Sequence, residues 1–255
     1  MEEQVNSSML KKERHAFIIK QINLHNKVLS SDLSIQLQVS EDTIRRDLNN
    51  LAEEGKILKV HGGALSKAFH FPYRLNDIYA KDSKKEVAQK AIKLITEGMV
   101  VLTGGGTTMI EMARLVPNEL QATFFTISPL VALELCEHPY LTVILIGGQL
   151  SKQAHINIGS KTVLDLLDIK ADLCLLGANG IDLKEGITDS DWEVVQVKKA
   201  MIRSAAKVAI MSISEKFDSI QKMKVCNLSN IEYLVTDLKS EDPKFSAYSA
   251  FVKVI

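Results

Sequence analysis

Two short stretches of this sequence bring together the groups that bind anions best. The first is Ser40-Glu41-Asp42-Thr43-Ile44-Arg45-Arg46-Asp47-Leu48-Asn49-Asn50. Residues of a helix advance about 100° each, so with Ile44, Leu48 and Leu51 turned to a core, the opposite face carries Asp42, Arg46, Asn49 and Asn50, flanked by Thr43 and Arg45. The guanidinium fork and the carboxamide match the edges of guanine and adenine, and a short helix fits the major groove of DNA. The second stretch is Thr103-Gly104-Gly105-Gly106-Thr107-Thr108, which follows an apolar run and precedes a helical one. Glycines there let several backbone N–H groups converge on one point. The helix start adds partial positive charge and the threonines add hydroxyl donors, so a phosphate is the natural occupant. The loop lacks the Gly-Lys-Ser/Thr of a nucleotide triphosphatase.

The elements that hold these stretches fall into two groups. In the first sixty-odd residues, Lys11 to His25 reads as one helix. A second follows with Leu33 and Leu37, capped by Ser30 or Ser31 and ending near Gln38 and Val39. Ser40 caps the third, which Gly55 ends. No strand is expected between these helices. Lys56 to Leu65 then reads as two small strands around Gly62-Gly63, a wing. Periodicity lapses between Ser66 and Ser83, where Phe69, Phe71, Pro72 and Tyr73 interrupt polar residues. The boundaries expected are therefore a winged helix-turn-helix at 1–66, a linker at 67–83 and a second domain at 84–255.

Beyond Lys84, apolar runs at 99–102, 123–127, 141–146, 172–176, 207–211 and 233–236 alternate with helical stretches at 108–115, 130–136, 162–167 and 194–205. That βαβ alternation predicts an α/β domain with a mostly parallel sheet covered on both faces. In such a sheet the loops after the strands gather at one edge. There they bring Gly104 to Thr108 together with Ser128, Gly147-Gly148, Gly177-Ala178-Asn179-Gly180 and Ser212 to Lys216. Asn179 reads either as a hydroxyl-binding amide or as a left-handed turn residue. Lys216 reads either as a point charge for the phosphate or as a solvated surface lysine.

Composition narrows the function further. The chain of 255 residues is 46% hydrophobic, enough to bury a real core. Its 31 basic and 31 acidic residues balance, so affinity for DNA must come from where charges sit rather than from their total. No apolar stretch reaches the roughly 18 residues of a membrane span, which together with the polar start Met1 to Ser8 predicts a cytoplasmic protein. Cys136, Cys174 and Cys226 have no CxxC spacing and read as structural thiols. His15, His25, His61, His70, His138 and His155 are scattered, and neither a metal site nor a cofactor is expected.

Taken together, Val39-Ser40-Glu41-Asp42-Thr43-Ile44-Arg45-Arg46-Asp47-Leu48, Leu51, Glu54-Gly55 and Val60-His61-Gly62-Gly63-Ala64 resemble the signature of the DeoR family of bacterial sugar-metabolism repressors. The second half is similar to that family's sensor domain at Gly106-Thr107-Thr108, Ile146-Gly147-Gly148, Leu176-Gly177-Ala178 with Gly180-Ile181, Gly186-Ile187-Thr188, Val197-Lys198-Lys199-Ala200-Met201 and Thr236-Asp237. That domain's fold is similar to ribose-phosphate isomerases and CoA transferases. The resemblance implies that Thr43, Arg45 and Arg46 contact bases and backbone, with His61, Gly62 and Gly63 at the wing meeting the adjacent DNA. It also implies that Gly105, Gly106, Thr107 and Thr108 cradle an effector's phosphate, supported by Lys216 and Lys198. Asp47 would instead position a guanidinium or a neighbouring helix end. Two departures, Thr103-Gly104 where the family usually has an acidic residue and Ile127 where Asn is common, bear on the sugar end of the effector.

The function expected is a repressor of a carbohydrate-metabolism operon that binds double-stranded operator DNA and a phosphorylated sugar, as a homodimer or homotetramer. The rival is a sugar-phosphate isomerase on the same fold. It needs a carboxylate base, and the loop after the fourth strand offers Asn179, which cannot serve. Asp182, Glu185 and Glu193 lie near it in sequence.

Overall fold

The computed structural model describes residues 10–25, 27–66 and 79–255, and the chain divides into two compact units, 1–79 and 80–255. The segment 67–78, which holds most of the expected linker, lies outside the described residues, as do Met1 to Ser8 and Asn26.

The first unit contains α1 (Lys11–His25), β1 (Lys27–Leu29), α2 (Ser30–Leu37), α3 (Glu41–Glu53), β2 (Ile57–Val60) and β3 (Gly63–Ser66). Ile18, Ile22, Leu33, Ile44, Leu48, Leu51, Ile57 and Ala64 form its core, so the helical stripe of α3 is buried as its spacing requires. Three helices and a glycine-turned hairpin make a winged helix-turn-helix. Two local expectations fail. A strand does lie between the helices: β1 pairs antiparallel with β3, Lys27 opposite Leu65, giving a three-stranded sheet in the order β1-β3-β2. Three residues carry too little alternation to be seen as a strand, and their pairing depends on the distant hairpin. Neither Ser30 nor Ser31 caps α2, since Leu29 holds the cap position without a side-chain bond and Ser30 is already helical and buried.

The second unit is built on a seven-stranded, wholly parallel sheet. Its strands are β4 (Val100–Thr103), β5 (Ala122–Thr126), β6 (Leu141–Leu145), β9 (Ala171–Gly177), β12 (Ala205–Met211), β14 (Tyr233–Val235) and β15 (Lys253–Val254), ordered β15-β14-β12-β9-β4-β5-β6. The order runs outward in both directions from β4 and β9. The gap between these two strands is the switch point at which an open α/β sheet leaves room for a ligand. Covering helices include α4 (Lys81–Ile92), α5 (Thr107–Arg114), α6 (Pro129–Leu135), α7 (Ser160–Leu167) and α8 (Trp192–Arg203). Two small antiparallel sheets are added: β7 (Gln149–Leu150) with β8 (Asn157–Ile158), and β10 (Gly180–Asp182) with β11 (Gly186–Asp189) and β13 (Met223–Cys226).

Lys81 to Ser83, placed in the linker by sequence, form the first turn of α4 instead. Lys84, Val87, Ala88 and Ala91 are the buried residues of that helix, at offsets of three, four and seven. The polar run Lys81-Asp82-Ser83-Lys84-Lys85-Glu86 hides that stripe in the sequence.

Candidate functional site

In the first unit the candidate interface is the outer face of α3. Ser40 begins it: its Oγ accepts the Thr43 N–H at 3.2 Å and lies 2.9 Å from the Thr43 hydroxyl, a bond that fixes the helix start. Arg45 and Arg46 stand out from the next turn with side chains 64% and 78% exposed, leaning on Glu41 at 3.4 Å and Asp42 at 2.6 Å one turn back. Exposed i,i+4 pairs hold only weakly, so both guanidiniums can exchange these carboxylates for an external anion. Asn49 accepts a hydrogen bond from the Lys59 ammonium of β2, which ties the reading helix to the wing.

Asp47 faces the other way. It is 2% exposed and takes Arg14 at 2.5 Å and His15 at 2.9 Å, both from α1. Burial alone would raise its carboxyl pKa, but the Arg14 and His15 bonds outweigh that and hold it below the usual range. The guanidinium it positions thus belongs to α1, not to its neighbours Arg45 and Arg46.

At the wing, His61 and Gly62 are exposed and Gly62 has a φ of +76°, a turn conformation that suits glycine. Gly63 requires correction as a DNA contact. It is buried under β1, where a Cβ would sit 1.9 Å from the Val28 carbonyl oxygen. Its lack of a side chain lets β1 and β3 meet.

In the second unit the candidate site is the C-terminal edge of the sheet at β4 and β9. Thr103 pairs in register with Leu175 and Thr126, and Met211 pairs with Gly177, so the loops that follow these strands emerge level with one another. Gly105 and Gly106 turn the chain from β4 into α5, Gly106 with a φ of +106°. A Cβ on Gly105 would meet Ile156 Cγ2 at 2.4 Å. Thr107 and Thr108 form the first turn of α5, half-buried, where helix N–H groups lack partners within the helix.

Two lysines close over the neighbouring loop. Lys198 of α8 donates to the Gly177 carbonyl at 2.8 Å and to Asp189 Oδ2 at 2.6 Å. Lys216, in a 3₁₀ turn at Ser214–Lys216, donates to the next carbonyl, that of Ala178, at 2.7 Å. Burial, reinforced by the nearby Lys84 and Lys198 and opposed by Asp189, pushes the Lys216 ammonium down to about 7. Half-buried and bonded to the Ala178 carbonyl, Lys216 is not a freely solvated surface lysine. Asp189 is 1% exposed. Burial raises its pKa, but Lys198, the Ser190 N–H and the Asn179 amide together hold it ionised, below the usual carboxylate range. Asn179 Nδ2 donates to Asp189 Oδ1 at 2.8 Å. Its φ is not positive, so the left-handed alternative falls away.

Three further candidates do structural duty. Gly104 is buried, its N–H bonded to Leu175 O at 2.9 Å, with Leu176 against the place of its missing side chain. Ser128, 1% exposed, caps α6 by accepting the Val131 N–H and donates to His155 O. Gly148 has a φ of +154° and leaves space for Thr162, whose Oγ1 would stand 2.0 Å from an added Cβ. Each of these residues has a structural reason to stand where it does. Two charged groups went unrecognised in the sequence, Asp189 and Lys84. Asp189 directly follows Gly186-Ile187-Thr188, and Lys84 lies on the periodic stripe of α4.

Residues 80–238 match the DeoR C terminal sensor domain, and residues 14–68 match the DeoR-like helix-turn-helix domain. The chain is 31% identical over 232 residues to the HTH-type transcriptional regulator GlpR of Haloferax volcanii, covering 90% of this chain and 91% of that protein. It is 32% identical over 225 residues to the glycerol-3-phosphate regulon repressor of Haemophilus influenzae, covering 88% of each. It is 29% identical over 237 residues to the L-fucose operon activator of Escherichia coli, covering 89% of this chain and 96% of that one. Among solved structures, ribose 5-phosphate isomerase from Methanocaldococcus jannaschii aligns over 55% of each chain at 18% identity with a TM-score of 0.40.

Proposed function

Because the chain belongs to the DeoR family of transcriptional regulators, we propose that it represses a carbohydrate-metabolism operon, binding operator DNA through α3 and the wing and releasing or retaining it according to a phosphorylated sugar held at the ends of β4 and β9. Arg45, Arg46 and Thr43 read DNA, Ser40 and Asn49 fix the reading helix, and His61 and Gly62 meet the neighbouring backbone. The observation that carries the sensing half is the pair of inward lysines, Lys198 and Lys216, bonded to adjacent backbone carbonyls beside the glycine loop. A half-buried ammonium bonded to a carbonyl gains from an incoming anion, and Lys216 is in that position. Gly105, Gly106, Thr107 and Thr108 supply the donors for the phosphoryl oxygens.

Catalysis is disfavoured by the same contacts. The carboxylate closest to the two lysines, Asp189, is held in place by Lys198, Asn179 and the Ser190 N–H and has no freedom to abstract a proton. We propose a ligand-sensing role, without a cofactor, in a cytoplasmic protein. Among the described residues no helix is long and apolar enough to cross a membrane. Operators are read by paired modules, so a homodimer or homotetramer is proposed. The edge strand β6 supplies an apolar surface for it, with Ile144 and Leu145 39% and 44% exposed beside exposed Tyr140 and Leu150.

A thermal-shift screen of sugar phosphates tests the sensing half, with Thr107→Ala in parallel. Stabilisation by one compound that the variant loses supports the reading. No response to any sugar phosphate, or an equal response in the variant, would refute it.

A further inference from the structure

A second group of cations lines a groove of about 410 Å³ between the C-terminal half of α8 and strand β13. The groove shares no lining residue with the glycine loop, Lys198 or Lys216. Lys199 and Arg203 stand one turn apart on α8, and Lys224 comes from β13 on the other wall. Lys199 is half-buried, while Arg203 and Lys224 are exposed. Elsewhere in this unit exposed cations lean on carboxylates: Lys161 on Asp165 at 2.6 Å, Lys239 on Glu86 at 3.1 Å and Lys244 on Asp218 at 2.6 Å. None of the three groove cations has such a partner among the described residues, and the lining holds no carboxylate. Like charges gathered without a counterion repel one another, and an anion between the walls relieves all three.

The other polar side chains of the groove are turned to the same purpose. Asn227 and Asn230 frame the 3₁₀ turn Leu228–Asn230 with a reciprocal cap: the Asn227 side chain accepts the Asn230 N–H, and Asn230 Oδ1 accepts the Asn227 N–H at 3.1 Å. Each carboxamide thus spends its oxygen on the backbone and keeps its NH₂ as a donor. Three cations and two amide NH₂ groups make this a donor surface. The apolar part of the lining is Val225, 4% exposed, and the half-buried Ile202. Cys226 adds a neutral thiol, its pKa pushed up to about 11 by burial.

The groove and the candidate effector site use different faces of shared elements. Lys198 turns to the Gly177 carbonyl and Asp189, whereas its neighbour Lys199 lines the groove, as the roughly 100° between successive helical residues allows. β13 pairs with β11, placing Lys224 opposite Thr188 and Met223 opposite Asp189.

We propose that this groove is a second anion site, which takes a small metabolite bearing two anionic groups, one held by Lys199 and Arg203 and the other by Lys224 with the two amides. Its size falls within the usual range of small-molecule sites, roughly 300 to 1,000 Å³. Cations on two walls match two separated charges better than one. The inference does not depend on the glycine loop holding an anion.

Hydrogen exchange of the full chain, read by mass spectrometry with and without inorganic pyrophosphate, tests the site locally. β13 is the edge of its three-stranded sheet, so its outward amides and those of the turn after it exchange readily. Pyrophosphate should slow exchange at residues 223–231 by up to about ten-fold at about ten times its Kd, and sodium chloride at equal ionic strength should not. In Lys224→Gln, an exposed change that the fold tolerates, that protection should fall away while any at 104–110 persists, and Lys224→Arg should retain it. Absence of protection at 223–231, equal protection in Lys224→Gln, or the same effect from sodium chloride overturns the second site. Protection confined to 104–110 overturns it as well and leaves the sensing reading standing. Protection at 223–231 without any at 104–110 upholds the second site alone.

Discussion

The two units are suited to the same task, holding an anion, by opposite means. On α3 the cations are exposed and lean on exposed carboxylates one turn away, Arg45 on Glu41 and Arg46 on Asp42. At the ends of β4 and β9 the cations are half-buried and held by backbone carbonyls and by Asp189. An exposed guanidinium costs little to keep charged, is screened by salt and suits a partner that must be searched for and released. A half-buried ammonium costs more to keep charged, and a matching ligand recovers much of that cost, which suits discrimination of a small dianion. In both units the carboxylates that hold the architecture, Asp47 and Asp189, are buried and already bonded, to Arg14 and His15 in one and to Lys198 and Asn179 in the other.

Removing those anchors should have the largest effect. Asp47→Ala strands Arg14 and Asp189→Ala strands Lys198; each should cost about 3 to 5 kcal/mol, the usual penalty for breaking a buried pair, read as a lower midpoint in chemical denaturation. If Asp189→Ala costs as little as a surface change, the sensor site is wetter than the contacts imply and the contrast between units weakens.

Next comes Arg46→Ala, which should weaken operator binding by about 1 to 3 kcal/mol and reduce the salt slope by about one, with the denaturation midpoint unchanged. Gel shifts across a salt series read both.

The third prediction concerns pH. Lys216 and Lys84 titrate near 7 and 8 in the folded chain, against 10.5 ordinarily. Between those values the unfolded chain binds more protons than the folded one, so these two groups make stability rise with pH across that window. Phosphate binding needs the ammoniums and should move the opposite way, weakening by up to about ten-fold per pH unit as the Lys216 proton is lost. Calorimetric titration of inorganic phosphate from about pH 7 to about pH 9 checks it. Affinity that stays flat would mean that Lys216 does not face the ligand.

The smallest effect sharpens the comparison from the other side. Asp42→Ala removes an exposed partner of Arg46 and should change stability by no more than about 0.5 kcal/mol. Measured beside Asp47→Ala, five positions along the same helix, it isolates burial as the variable.

Much of this was legible in the sequence, where periodicity and local chemistry agreed. The Ser40 cap, the Ile44-Leu48-Leu51 stripe and the Gly62 turn each state their structure locally, and the six main strands of the sensor sheet appear as apolar runs. What stayed hidden was set by distant partners. The three residues of β1 are a strand only because β3 lies beside them, and β13 pairs with β11 across some forty residues. Among site residues, glycines at strand ends could not be divided in advance into those that meet a ligand and those that admit a neighbour. Gly106 has open space where a side chain would be, while Gly63 and Gly148 face Val28 and Thr162. Lys84 was legible in principle, three and four residues before Val87 and Ala88 on one stripe, but a lysine among lysines does not read as core.

Sensing by this unit requires that Lys216 face an anion. A thermal-shift titration of the full chain with inorganic phosphate near pH 7, wild type beside Lys216→Met, tests it most directly. Saturable stabilisation of the wild type that Lys216→Met lacks is the result expected, and equal stabilisation of the two proteins would contradict it.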